Sequence, residues 1–84
     1  MNKTTIISRI CYTELVYERI NKKLNSNFSK SEIEKMLLSI IKETPEEFFY
    51  RIGKNIYVIN HELNIKITIN SNTYRIITVD NTSK

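Results

Sequence analysis

Metal-independent cleavage of RNA needs three groups: a base for the 2′-hydroxyl, an acid for the leaving oxygen and a cation beside the strained phosphate. One residue in the chain, His61, has an ordinary pKa suited to proton transfer near neutrality. Tyr57 or Glu62 can supply the acid and Arg75 or Lys66 the cation, which makes His61, Arg75 and Tyr57 the candidate catalytic residues. The same part of the chain holds a binding pattern. Lys54, Lys66, Thr68 and Arg75 alternate with aromatic and aliphatic residues. Cations that meet phosphate, beside rings that stack on bases, suit single-stranded nucleic acid. The competing reading is ordinary solvated strand residues, with lysines that block edge-to-edge pairing.

Other residue types carry less chemistry. With one Cys and one His, the chain cannot build a four-ligand Cys/His zinc site. Cys11 flanks a helical stripe and reads as a small buried hydrophobe. Glu14/Glu18, Glu32/Glu34 and Glu46/Glu47 read as helix surface, cap or first-turn residues complementing a helix dipole. Gly53 is the single glycine and precedes a strand, so no phosphate cradle is expected. Neither a metal nor a cofactor is expected.

Composition narrows the class. The 84 residues read as a single domain spanning 1–84 with formal charge +4, from 13 basic and 9 acidic side chains. Residues 1–50 carry a net +1 and residues 51–84 a net +3, so the excess belongs to the C-terminal half. Ile, Asn and Lys are the commonest residues, as in an AT-rich coding sequence. No apolar run approaches the roughly 18–20 residues that span a bilayer, and no signal peptide is seen. The expected location is cytoplasmic.

The elements that must position these residues fall into two halves. Tyr12, Val16, Ile20 and Leu24 repeat at helical spacing and predict a helix over about 8–24. Ser29-Lys30-Ser31-Glu32 fits a capping box, and Phe28 and Ile33 have the spacing of a hydrophobic staple. The stripe Ile33, Met36, Leu37, Ile40, Ile41 predicts a second helix over 30–43. Asn25-Ser26-Asn27 then turns the pair into a helical hairpin. Thr44-Pro45-Glu46-Glu47 repeats a helix start, so 45–50 is either a short helix or, from Phe48-Phe49-Tyr50, the beginning of a strand.

From Asn55 the period becomes two, with strands expected over 55–60, 65–70 and 74–79. Pairing Asn70 with Thr73 would set Ile67 opposite Ile76 and Thr68 opposite Arg75, with Lys66, Thr68, Arg75 and Ile77 on the outer face. Strand 55–60 is apolar on both faces, so its parity stays open between Tyr57 outward and Val58 outward. The expected fold is α+β, an N-terminal helical hairpin packed on one face of a three- to four-stranded antiparallel β-meander. Apolar residues left uncovered on the sheet (Ile56 or Tyr57, Ile59, Ile77, Val79) would mark a protein partner or homodimer interface.

Thr13-Glu14-Leu15, Glu18-Arg19-Ile20, Leu24, Arg51, Gly53-Lys54-Asn55, Tyr57-Val58, Ile67-Thr68-Ile69-Asn70 and Ile76-Ile77-Thr78 together resemble a family of short, functionally uncharacterised bacterial proteins. The resemblance spans nearly the whole chain and implies a stand-alone domain of a Gram-positive-type bacterium or its mobile elements. Tyr74-Arg75-Ile76-Ile77-Thr78 is similar, more faintly, to the closing strand of barnase/colicin/RelE-like ribonuclease toxins. Two functional expectations follow. One is a small RNA-directed protein, a toxin-like ribonuclease using His61, Arg75 and Tyr57 and paired with an antitoxin. The other is a non-enzymatic inhibitor or regulator that binds a host protein through its sheet.

Overall fold

Ser29 starts the best-defined helix. Its hydroxyl accepts the Glu32 amide at 3.1 Å, and its own amide donates to the Glu32 carboxylate at 2.8 Å. This capping box closes the first turn of a helix over Lys30–Glu43. A computed structural model describes residues 2–82 and places two helices before this one, at Lys3–Arg9 (α1) and Glu14–Leu24 (α2), so Lys30–Glu43 is α3. After a 3₁₀ turn at Glu46–Phe48 come four strands: β1 (Phe49–Ile52), β2 (Asn55–Asn60), β3 (Ile65–Asn70) and β4 (Ile76–Asn81). They form one antiparallel sheet in the order β1-β2-β3-β4, with the helices packed on it, an α+β arrangement.

The core lies between helices and sheet. Val16 and Ile20 of α2 and Ile33, Leu37, Ile40 and Ile41 of α3 are buried against Ile56, Val58, Ile67, Ile69, Ile76 and Val79. These side chains form one buried apolar cluster. The loop between α2 and α3 is held by one side chain. Asn21 Oδ1 accepts from Ser26 Oγ and the Phe28 amide, both at 2.9 Å, and its Nδ2 donates to the Phe28 carbonyl. Asn25 ends α2 in the left-handed region at φ 53.

Several elements depart from the sequence expectation. The helix expected over 8–24 is two helices, because Ile10–Thr13 leaves helical geometry to join the sheet. The Cys11 amide donates to the Tyr74 carbonyl at 3.0 Å, and the Ile76 amide donates to the Cys11 carbonyl at 2.9 Å. Cys11 is therefore exposed at the sheet edge rather than buried. Thr44 does not start a helix. It caps the end of α3, its hydroxyl donating to the Ile40 carbonyl at 2.6 Å, and 45–50 becomes the 3₁₀ turn followed by β1.

The last strand runs 76–81 rather than 74–79. Asn70 Oδ1 accepts the amides of Asn72 and Thr73, and Tyr74 adopts φ 59, so the turn is longer than a two-residue hairpin. The register becomes Ile67 opposite Val79 and Thr68 opposite Thr78, with a bulge that leaves Ile77 without a partner beside Ile69.

The parity of β2 is settled by a buried polar contact. Asn60 Nδ2 donates to Thr44 Oγ1 at 3.0 Å, and Asn60 Oδ1 accepts the Leu63 amide at 2.9 Å. With Asn60 inward, Ile56 and Val58 are also inward, while Tyr57 and Ile59 face away from the helices.

Replacing Asn60 by Ala strands the Leu63 amide and opens a small cavity, so N60A should unfold about 2–3 kcal/mol more easily in urea with an unchanged m-value. A loss below about 0.5 kcal/mol would mean that the contact does not hold the strand.

Glu32 gives a pH signature. The Ser29 amide, then the Ser29 hydroxyl, hold its carboxyl below the ordinary 4.5. A lowered folded-state pKa contributes stability above 4.5 that is lost as pH falls through the lowered value. E32Q should melt below wild type at neutral pH, and the difference should close on acidification below 4.5, as thermal melts across pH will read.

Candidate binding face of the sheet

The outward side chains follow from the register. Tyr50 of β1 lies opposite Tyr57 of β2, Tyr57 opposite Thr68 of β3, and Thr68 opposite Thr78 of β4. On one side of this row Ile52 pairs with Asn55; on the other, Ile59 pairs with Lys66 and Lys66 with Asp80. Tyr50, Ile52, Tyr57, Ile59 and Lys66 line an open groove of about 340 Å³. Ile52 is 67% exposed and Tyr50 44%, large values for apolar residues within strands. Gly53, at φ 59, makes the tight turn from β1 to β2 that brings Tyr50 and Ile52 beside Tyr57.

The groove is apolar with a cationic border. Lys66 Nζ sits 5.5 Å from the centroid of the Tyr57 ring, and Tyr57 Oη accepts from Asn55 Nδ2 at 3.2 Å. No carboxylate lines it. Asp80, opposite Lys66 on the next strand, is engaged by Lys23 Nζ at 3.1 Å. The turn residue Lys54 is exposed at the same edge of the sheet, whereas Arg51, opposite the inward Ile56, lies on the other face.

The candidate residues from the sequence do not gather here as a set. Tyr57 and Lys66 lie in the groove and Lys54 at its border. Thr68 points to the same face but is only 5% exposed, closed in between strands on either side, so it cannot present its hydroxyl to a ligand. Arg75 leaves the outer face altogether. It precedes β4 next to Cys11 and lines a cleft against α2 with Thr13, Val16 and Arg19. His61 sits in the β2–β3 turn, its ring edge-on to Phe48 at 4.8 Å, in a depression lined also by Glu43, Pro45 and Glu62.

The β2–β3 turn and the β3–β4 turn are at opposite ends of six-residue β3. His61 and Arg75 are thus roughly 17 Å apart along the strands, too far to serve one phosphate. The set of His61, Tyr57 and Arg75 therefore does not converge on one phosphate.

Sequence reasoning found Ile59 among the uncovered aliphatics but missed Tyr50 and Ile52. The aromatic run 48–50 was their signal, and it was compatible with helix as well as strand. Of the alternatives Ile56 and Tyr57, Tyr57 is the outward residue, while Val79, also expected to be uncovered, is buried.

Two tyrosines elsewhere are perturbed without forming a site. Tyr17 stacks on Tyr12 at 5.5 Å and donates to Glu34 at 2.7 Å; desolvation, then the bond to Glu34, pushes its phenol up to about 12. Burial, then the Glu34 charge, also raises Tyr12. These contacts tie the start of α2 to α3.

A family model described as "Protein of unknown function (DUF3781)" matches residues 4–80. No curated protein and no solved structure matches the chain.

If the groove residues are not needed for folding, removing them is cheap. The double variant Y50T/I52T keeps strand-forming residues and should unfold within about 1 kcal/mol of wild type, whereas I67A in the core should cost about 2–4 kcal/mol. Chemical denaturation of the three proteins side by side reads the contrast, and equal losses would show that the groove is part of the core.

Proposed function

The chain belongs to the DUF3781 family of proteins of unknown function, and from that premise we propose that it is a non-enzymatic interaction protein that docks a protein partner on the outer face of its sheet. The observation that carries this reading is the continuous apolar groove of Tyr50, Ile52, Tyr57 and Ile59 with a lysine and no carboxylate in its lining. A solvent-facing row of this kind has no use in folding, and exposed contiguous apolar surface marks interaction sites. Charge complementarity defines the partner: apolar side chains that fill the groove, bordered by acidic groups that meet Lys66 and Lys54. A second copy, itself carrying +4, fits this border poorly. In a bacterium, the role is that of a small inhibitor or regulator of a host protein.

RNA binding is the second reading, favoured by the neighbouring rings of Tyr50 and Tyr57 with a cation over one of them. The separation of His61 from Arg75 argues against a ribonuclease that uses Arg75 as its cation.

The two readings separate in one experiment. Tagged wild type, Y50T/I52T and I59T are used to capture partners from cells of the source organism, with and without ribonuclease. The expected result is one stoichiometric acidic protein, retained after ribonuclease. When it is purified and titrated back, the groove variants should weaken its affinity by at least about tenfold, or 1.4 kcal/mol. Capture that survives in the groove variants sinks the proposal. Material lost on ribonuclease treatment transfers the face to the RNA reading.

A further inference from the structure

A second surface lies at the other edge of the sheet. Between α2 and β4 runs a cleft of about 290 Å³ with two arginines, Arg19 and Arg75, in its lining. We propose that this cleft binds the phosphate group of a small phosphorylated molecule, Arg19 and Arg75 holding the phosphate while Leu15 and Ile77 cover the apolar part.

The electrostatics argue for an anion. No carboxylate lines the cleft, and among the described residues neither arginine is in an ion pair. Two like charges facing one concavity repel, and a bound anion relieves that repulsion. Each guanidinium spends little of its donor capacity within the chain. Arg19 Nη1 donates to the Ile77 carbonyl at 3.2 Å, and Arg75 Nε makes a long bond of 3.5 Å to Thr73 Oγ1. The forks that remain match the bidentate geometry of phosphate oxygens.

The fold supplies a second, independent contribution. α2 begins at this cleft with Thr13 as its N-cap; the Thr13 side chain makes no capping bond, and its carbonyl accepts the Val16 amide at 3.1 Å. Thr13, Leu15, Val16 and Arg19 of this first part of α2 line the cleft together, so the positive end of the helix dipole adds to the field of the arginines. Glu14, the acidic residue of that turn, is drawn to Lys30 Nζ at 2.6 and 2.8 Å and does not line the cleft.

The walls set the rest of the ligand. Leu15 is 73% exposed and, with Ile77 freed from strand pairing by the bulge, offers an apolar surface beside the arginines. The volume sits near the low end of ligand sites, about 300 Å³, the size of a mononucleotide rather than of a polymer. The cleft is on the edge of the sheet opposite β1, so it and the docking groove can be occupied independently.

Adenosine 5′-monophosphate is a suitable probe, with adenosine and inorganic phosphate as controls, followed by amide NMR shifts on the isotope-labelled chain. The expected result is saturable shifts centred on Thr13–Val16 and Arg75–Ile77, absent with adenosine. R19Q and R75Q should each weaken binding by about tenfold or more, and R51Q, on the opposite edge, should leave it unchanged. Both altered arginines are exposed, and thermal melts of the variants check that the fold is retained. No saturable shift at millimolar AMP, shifts that persist in R19Q/R75Q, or AMP binding no tighter than inorganic phosphate would each overturn the proposal.

Discussion

The hydrogen bond between Asn60 and Thr44 is the constraint on which both faces of the sheet depend. Side chains of a strand alternate with period two, so a single fixed residue assigns every other one. β2 is apolar on both faces and does not choose by hydrophobicity. Asn60 chooses, because its amide finds partners only on the helix side: the Thr44 hydroxyl at the end of α3 and the Leu63 amide in the following turn. The opposite parity would give up both of these hydrogen bonds and put the Tyr57 hydroxyl into the core in place of Val58. With Asn60 inward, Val58 closes the core and Tyr57 and Ile59 become surface.

The opposite end of the sheet is organised by backbone rather than by side-chain burial. Asn70 gathers two amides of its own turn, Tyr74 takes a left-handed conformation, and the segment after α1 pairs with the start of β4. The bulge at Ile76-Ile77 accommodates the resulting shift in register. Arg75 thereby turns toward α2 and Arg19 instead of joining Lys66. One basic surface expected on the sheet becomes two, on opposite edges. The first combines a lysine with an apolar groove, the second two arginines with a helix start.

The parts of the fold that were legible in the sequence are those stabilised within a few residues. α3 was readable to its ends because Ser29 and Glu32 cap each other across one turn and the isoleucine stripe repeats every three or four positions. β2 was readable from its β-branched and aromatic residues, β3 from its period of two, and both from the polar turn between them. The candidate site was legible only in fragments. Tyr57, Ile59 and Lys66 could be named, but Tyr50 and Ile52 lie in a strand whose aromatic start also fits a helix. The pairing of Arg75 with Arg19 had no local signal.

By itself, then, the sequence determined an α+β chain with a capped helix, an isoleucine core and a basic C-terminal half. The tertiary structure alone decided where the first helix breaks, which way β2 faces, how β4 registers and which charged residues share a surface. The physical reason is range. Caps, stripes and turn residues act between positions three or four apart, whereas Asn60 meets Thr44 across a strand and a turn, and Cys11 meets the start of β4 across nearly the whole chain. Such contacts form only when the chain has folded, and here they dictate which side chains are left to meet a partner.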